Sequence, residues 1–135
     1  MKQKYKIAIM NMAKEFAKTS EATRLKVCAI LYKNDNIIAL GINGTRSGWH
    51  TNVCEDENGK TTLAVRHAEV AALDKLRKSS ENSIGATLFC THLCCLPCSV
   101  ELVEAGIVKV IYNQDYRNDA GLNYLKLNGI EIEKL

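Results

Sequence analysis

The fold is decided by residues 86–112, ATLFCTHLCCLPCSVELVEAGIVKVIY. Residues 86–91 have the composition of a strand, and residues 107–112 have that of a second one. Between them, Cys95–Ala105 is predicted to form a helix that ends at Gly106, a residue type suited to helix termini. Strands that alternate with helices in this way are typical of an α/β sheet.

The alternation continues on the N-terminal side of this segment. Residues 63–78 predict a helix that is rich in Ala and Leu and basic at its end. Residues 26–32 and 36–42 predict two strands, and the short turn at 33–35 between them favours an antiparallel hairpin.

The two ends of the chain complete the predicted fold. Residues 3–18 predict an amphipathic helix, and its apolar side chains at helical spacing are expected to pack against the sheet: Tyr5, Ile9, Met12 and Phe16. Residues 119–127 predict a short helix, and residues 130–133 predict a final strand. We therefore expect one α/β domain over residues 1–135, with a mixed five-stranded sheet and helices on both faces.

One long segment, residues 43–62, has no clear periodicity and is rich in glycine and polar residues. Loops of this length in small domains are usually either functional or disordered. Trp49 and Cys54 within the segment favour an ordered loop.

Length and charge limit the classes of protein to consider. The chain has 135 residues and a net charge of +3, which is too small to indicate a nucleic-acid-binding protein. Its apolar runs are far shorter than the roughly 18 residues that cross a bilayer, and no signal-peptide core follows the basic start. We expect a soluble cytoplasmic protein that binds neither membranes nor nucleic acid.

The six cysteines are the most informative part of the composition. Four of them, Cys90, Cys94, Cys95 and Cys98, fall within nine residues, and in a chain without a secretion signal such a cluster more often binds metal than forms disulfides. Three residues apart at a helix start, Cys95 and Cys98 point the same way, whereas Cys94 should face elsewhere.

His67 supplies a third candidate ligand from the other predicted helix. One His and two Cys leave tetrahedral zinc with an open fourth position, as in catalytic zinc sites. Glu69 can approach water in that position only if His67 lies in an irregular first turn, because residues i and i+2 of a regular helix face different directions. Glu69 would then act as a proton shuttle in a hydrolytic deamination, with zinc lowering the pKa of the water to about 7. A structural zinc site or a buried pair of cysteines remains the alternative.

These residues resemble a known superfamily. His67-Ala68-Glu69 followed by Cys95-Leu96-Pro97-Cys98 is similar to the H-x-E…P-C-x-x-C signature of zinc-dependent cytidine and deoxycytidylate deaminases, although Cys94 stands where the signature has proline. The segment GINGTRSG, residues 41–48, resembles the G-Y-N-G-x-P-x-G loop of the deoxycytidylate (dCMP) deaminase family.

The resemblance implies a three-layer α-β-α fold, a Zn²⁺ cofactor and deamination of dCMP to dUMP and ammonia. It implies that Glu69 is catalytic and that His67, Cys95 and Cys98 hold the metal. It also implies a set of substrate contacts, in which an arginine fork suits the 5′-phosphate and a backbone N–H at a helix start suits the pyrimidine carbonyl: Arg24, Asn43, Ala68, Thr91, Tyr116 and Arg117.

The family also provides expectations about assembly and regulation. Its members commonly form dimers or hexamers, and many are regulated by dCTP and dTTP, so we expect a homo-oligomer with these nucleotides as possible effectors. Cys54 resembles one ligand of a second, structural zinc found in some members, but a partner cysteine before the first strand is missing, and we predict one zinc. We expect His50 and His92 to be loop residues or contacts near the pocket, and Cys28 and Cys90 to be buried strand residues.

Three alternatives stay open at this point. The substrate could be another cytosine nucleotide or nucleoside, including dCTP, deoxycytidine or a modified dCMP. It could also be a base within RNA, although an editing enzyme would carry a larger basic surface. The third alternative is a non-catalytic binding module stabilised by zinc, against which Glu69 argues, because a structural site does not need an unligated carboxylate.

Overall fold

The computed structural model describes residues 1–135 and contains four α-helices and five strands in the predicted order. In chain order these are α1 Gln3–Ala17, β1 Cys28–Lys33, β2 Asn36–Ile42, α2 Ala68–Lys75, β3 Thr87–His92, α3 Leu96–Glu104, β4 Lys109–Gln114, α4 Ala120–Leu127 and β5 Glu131–Lys134. A 3-10 turn, Leu76–Lys78, continues α2. The predicted strand boundaries differ from these by two residues at most, whereas α2 begins five residues later than predicted.

The five strands form one mixed sheet in the order β2-β1-β3-β4-β5. The hairpin of β1 and β2 is antiparallel, as predicted, and its turn residues Asn34 and Asp35 have the positive φ angles that two-residue hairpin turns require. Strand β3 lies antiparallel to β1 and parallel to β4, and β5 continues the parallel side. The predicted mixed five-stranded sheet is confirmed.

Alternating side chains of the sheet enter two separate cores. Ala29 and Leu31 of β1 point towards the face covered by α2, α3 and α4, where fifteen buried residues form the larger core. Cys28 and Ile30, their neighbours in the strand, point towards α1 and belong to a smaller core of eight residues. The helices therefore cover both faces, which confirms the three-layer α-β-α arrangement.

The face that α1 turns to the sheet differs from the prediction. Only Ile9 of the expected stripe is buried, whereas Tyr5, Met12 and Phe16 are about half exposed. The buried face consists of four residues, two of them alanines: Ile9, Met10, Ala13 and Ala17. Small side chains let the helix axis approach the sheet closely, and because apolar residues occupy two adjoining faces, spacing alone did not distinguish them.

The start of α2 also differs from the prediction, and this difference matters for the site. The helix begins at Ala68 instead of residue 63, because the preceding backbone pairs with the long loop. Arg66 and Gly44 exchange two backbone hydrogen bonds, with N···O distances of 2.9 and 3.1 Å. His67 has an extended conformation (φ −68°, ψ 156°) and is the N-cap of α2, so it lies at the irregular start that the sequence analysis required.

The loop over residues 43–62 is ordered by its own hydrogen bonds. The hydroxyl of Thr45 donates a hydrogen bond to the carbonyl of Thr51 at 3.0 Å. The backbone at Glu55 and the backbone at Thr61 form an isolated antiparallel β-bridge. Cys54 is 1% exposed and fixes the loop against the body of the protein. None of the helices in this fold combines the length and hydropathy that a bilayer-spanning segment needs.

Candidate active site

His67, Cys95 and Cys98 meet where two helices begin. His67 is the N-cap of α2, Cys95 is the N-cap of α3, and Cys98 lies in the first turn of α3. The Nδ1 atom of His67 is 3.1 Å from Sγ of Cys98 and 3.4 Å from Sγ of Cys95. The three ligand atoms lie within 4.8 Å of one another, as a shared metal ion requires.

This group fits zinc. A tetrahedral zinc ion with ordinary Zn–N and Zn–S bonds separates its nitrogen and sulfur ligands by about 3.6 Å, close to the distances from His67 to the two sulfurs. One imidazole and two thiols are the donor types that zinc prefers. The thiol of Cys94 belongs to a different group of side chains, as predicted, so the protein provides three ligands and leaves the fourth position open.

The surroundings of the ligand group favour a thiolate. A hydrogen bond from Cys98, together with bonds from His67 and from the Cys98 backbone N–H, lowers the pKa of Cys95 to about 4, although burial opposes the shift. The hydrogen bond with Cys95 in turn raises the pKa of His67. A helix start is a favourable place for such a thiolate, because its free backbone N–H groups carry partial positive charge.

Glu69 is held behind the ligand group. It lies in the first turn of α2, is only 5% exposed, and still reaches the cavity described below. The thiol of Cys90 donates a hydrogen bond to Oε1 of Glu69 at 3.0 Å, and Cys94 completes this second buried group. The prediction that Cys90 is buried in a strand is confirmed, but its contact with Glu69 was missed, since spacing along the chain does not relate a strand residue to a particular helix.

A cavity of about 510 Å³ opens above these residues. His67, Glu69 and Cys95 form part of its wall, together with four of the predicted substrate contacts: Arg24, Asn43, Tyr116 and Arg117. His92, which was expected to be a loop residue or a contact near the pocket, is also in the wall. Sequence reasoning did not assign the remaining wall, which comes from loops and strand ends: Ala22, Leu25, Val27, Cys54, Glu55, Thr61, Val65 and Leu93.

Asn43 has a structural task in addition to its place in the wall. Its Nδ2 donates to the carbonyl of Leu25 at 2.7 Å, and its Oδ1 accepts from the backbone N–H of Val27 at 2.8 Å. Both ends of the amide are therefore occupied by the segment that enters β1, and the residue shapes the cavity by fixing that segment.

The structure does not bring Thr91 into the cavity. Its hydroxyl is buried in the sheet and accepts a hydrogen bond from the backbone N–H of Cys28 at 3.1 Å. Ala68 is also buried, but its backbone N–H lies in the first turn of α2, where N–H groups have no partner within the helix.

Two arginines stand at the exposed side of the cavity. Neither Arg24 nor Arg117 forms a salt bridge, so both guanidinium groups are available to an anion. The guanidinium of Arg117 lies 5.3 Å from the centre of the Tyr116 ring, an arrangement that keeps both side chains together. The Glu55 carboxylate accepts backbone hydrogen bonds from Thr23 and Arg24, which fixes the position of the Arg24 segment.

His92 was predicted to be a loop residue or a contact near the pocket, and it lies at the end of β3 in the cavity wall. Its Nδ1 is buried without a hydrogen-bond partner. Burial lowers the pKa of His92, which therefore stays a neutral imidazole at neutral pH. His50 lies in the exposed loop and packs against Trp49, with ring centres 4.9 Å apart and ring planes inclined by 47°.

Two glycines let the helix starts that carry the candidate ligands pack closely against neighbouring elements. A Cβ at Gly41 of β2 would lie 2.4 Å from the Ala68 carbonyl oxygen, so this glycine lets α2 pack directly on the strand. A Cβ at Gly121 of α4 would lie 2.3 Å from the Cys94 carbonyl oxygen. Both contacts are with the backbone beside a candidate ligand, so the two glycines set where His67 and Cys95 lie.

Comparison with known proteins agrees with this chemistry. Residues 3–114 match the family model described as the cytidine and deoxycytidylate deaminase zinc-binding region. The chain is 32% identical to the deoxycytidylate deaminase of Saccharomyces cerevisiae over 93% of its own length, but it spans only 43% of that relative. It is 30% identical to the deoxycytidylate deaminase of Mycobacterium phage D29, covering 78% of this chain and 91% of the phage protein.

A solved structure is similar over its whole length. The crystal structure of the dCMP deaminase from the cyanophage S-TIM5 in complex with dCMP and dUMP is 47% identical in sequence. It superposes with a TM-score of 0.97 and covers 100% of this chain and 99% of that one. The apo form of the same cyanophage enzyme superposes with a TM-score of 0.90.

Proposed function

This chain belongs to the cytidine and deoxycytidylate deaminase family, and from that premise we propose that it is an enzyme that hydrolyses dCMP to dUMP and ammonia. The observation that carries the proposal is the position of Glu69. A nearly buried carboxylate lies beside His67, Cys95 and Cys98 and still reaches the cavity. A structural zinc site gives no reason to bury an unligated carboxylate there.

The chemistry is divided between the ligand group and Glu69. His67, Cys95 and Cys98 would hold a zinc ion, which would lower the pKa of a water in the open position and so supply the nucleophile at neutral pH. The Glu69 carboxylate takes a proton from the attacking water and passes it to ring atom N3; it then takes the proton of the new C4 hydroxyl and passes it to the amine, which leaves as ammonia as the C4–N bond breaks and the C4 carbonyl forms. Burial suits this role, because few water molecules compete for the carboxylate.

The cavity also supports recognition of a nucleoside monophosphate. We propose that the Ala68 backbone N–H binds the pyrimidine carbonyl, because it points out of the helix start that carries His67. Tyr116 covers the nucleotide, and the free guanidinium groups of Arg117 and Arg24 bind the 5′-phosphate. Asn43 contributes through the segment that it fixes and the wall that it forms.

A panel of cytosine compounds tests the proposed activity. Ammonia release is measured with deoxycytidine, dCMP, dCTP and 5-methyl-dCMP, with and without dCTP or dTTP as effector. We expect dCMP to have the highest kcat/KM, and we expect Arg117→Ala to remove most of its advantage over deoxycytidine. Equal rates on deoxycytidine and dCMP would show that the two arginines do not bind the phosphate.

Glu69→Gln separates an enzyme from a binding module. The variant keeps the size of the side chain and should still bind one zinc per chain, measured by metal analysis, while turnover falls by at least about 1000-fold, at the upper end of typical acid–base effects. A variant with full turnover would contradict the catalytic role of Glu69. A wild-type protein that binds zinc but deaminates no compound in the panel would favour the module.

We also propose that the protein is a homo-oligomer. The exposed side of α1 carries Tyr5, Met12 and Phe16, each about half exposed, and a second copy of this chain could bury them. Sedimentation velocity should give a mass of at least two chains, and Phe16→Glu should reduce it. A monomer at micromolar concentration would contradict the proposal.

The cysteines support the predicted cytoplasmic location. All six are free thiols and all are buried, so the fold uses no disulfide. Free cysteines in this number fit a reducing compartment.

A further inference from the structure

Of the second buried group, Glu69, Cys90 and Cys94, only Glu69 has a part in the proposed mechanism. Their ligand-type atoms lie within 4.8 Å of one another, and the three residues are 5%, 0% and 1% exposed. A buried carboxylate needs hydrogen-bond donors, because an unpaired charge in an apolar core is costly. Of these two thiols, that of Cys90 is hydrogen-bonded to the carboxylate.

The direction of the hydrogen bond follows from the chemistry of the groups. The thiol of Cys90 carries a donor hydrogen and donates to Oε1 of Glu69 over 3.0 Å, where the carboxyl oxygen is the acceptor. Contact with Cys94, full burial and the nearby Glu69 charge all raise the pKa of Cys90, which therefore keeps its proton. The Sγ atom of Cys94 lies within 4.8 Å of Sγ of Cys90 and packs beside it in the core.

We propose that Cys90 is a positioning residue for Glu69. The hydrogen bond that the Cys90 thiol donates to Oε1 fixes the Glu69 carboxylate, so that the carboxylate meets the water and the cytosine ring in one orientation. The inference rests on the proposed function, since it assigns a task to a neighbour of the proposed proton shuttle.

A merely structural role predicts a different result. If Cys90 only filled space, Cys90→Val would preserve activity, because valine is similar in size and apolar. A positioning role requires a donor, and Cys90→Ser retains one while both Cys90→Ala and Cys90→Val lose it. Cys28 is the matched control, because it is equally buried in the neighbouring strand but faces α1.

Steady-state kinetics with dCMP distinguish these roles. We expect Cys90→Ala and Cys90→Val to lower kcat by about 10-fold, equal to about 1.4 kcal/mol, while KM changes less than 2-fold and zinc content stays at one per chain. Cys90→Ser should recover kcat to within about 3-fold of wild type, and Cys28→Ala should leave kcat unchanged. Wild-type kcat in Cys90→Val, or a serine variant as slow as the alanine variant, would overturn the proposal.

An infrared measurement tests the contact without turnover. The difference spectrum between wild type and Cys90→Ser identifies the S–H stretching band of Cys90, and Glu69→Gln should move that band to higher frequency because a neutral amide is a weaker acceptor. An unmoved band would overturn the inference even if dCMP is the substrate. A shifted band in a protein that does not deaminate dCMP would contradict the proposed function and leave the contact established.

Discussion

Gly121→Ala is the most direct test of how α4 supports the ligand-bearing segment. A Cβ at this position would lie 2.3 Å from the Cys94 carbonyl oxygen, 2.7 Å from Ser99 Oγ and 3.1 Å from the Cys95 carbonyl carbon. Ordinary contact begins at about 3.4 Å, so α4 or the segment it touches must move by about 1 Å. The atoms that would have to move include backbone atoms, which cannot rotate away as a flexible side chain can.

The net cost follows from two opposing effects. Overpacking a tight contact costs about 1–3 kcal/mol, while replacing glycine by alanine in a helix gains up to about 1 kcal/mol. The clash is the larger effect, so we expect the free energy of unfolding to fall by about 1–2 kcal/mol. For a chain of this size, this corresponds to a loss of about 4–8 °C in Tm.

The same displacement should reach the metal ligands. If Cys95 moves with its backbone, zinc affinity should fall by about 10-fold, as it does when supporting residues of metal sites are changed. Denaturant titration at fixed zinc concentration measures the stability, and competition with a chelator measures the affinity. Gly44→Ala is the control, because a Cβ at Gly44 has no atom within 4 Å. A Gly121→Ala protein as stable as wild type, with unchanged zinc affinity, would refute the argument.

Two further predictions concern stability. Asn43→Ala should lower the free energy of unfolding by about 1–3 kcal/mol, since it removes two hydrogen bonds to the backbone of residues 25–27. The KM for dCMP should also rise, and a rise in KM without a loss of stability would contradict the structural role. Glu133 forms salt bridges with Lys6 and Lys109, which lower its pKa, so its stabilising effect is present above the unfolded pKa and is lost as the pH falls through the lower folded value. Glu133→Gln should therefore be less stable by up to about 1 kcal/mol at pH 7, and the difference should shrink as the pH falls below the ordinary carboxyl pKa in denaturant titrations. A difference that does not change with pH would show that the charge is not responsible.

The order and type of the elements could be read from the sequence, because their composition and most of their ends are local signals. The hairpin turn at Asn34 and Asp35 and the helix end at Gly106 are local signals. The start of α2, in contrast, is not determined by a local sequence signal. Its delay to Ala68 depends on hydrogen bonds between Arg66 and Gly44, which no propensity of residues 63–67 encodes.

The candidate site also combines features that local sequence signals predict with features that depend on contacts between distant parts of the chain. The spacing of Cys95 and Cys98 and the order of His67 and Glu69 were sufficient to predict one group of ligands, which the structure brings together. The hydrogen bond from Cys90 to Glu69 could not be predicted, because it depends on which strand lies under α2. The Thr91 hydroxyl faces the sheet for a similar reason, since it satisfies a backbone N–H that the antiparallel ladder leaves free.

The long loop has a consequence for how such a protein can diverge. The loop supplies Asn43, Cys54, Glu55 and Thr61 to the cavity wall, whereas the ligand group stands on the starts of α2 and α3. Mutations that accumulate in residues 45–62, beyond the Gly44 backbone that pairs with Arg66, can therefore alter which molecule is accepted while the ligand group keeps its place. Proteins that descend from one ancestor can in this way come to accept different substrates while they catalyse the same reaction.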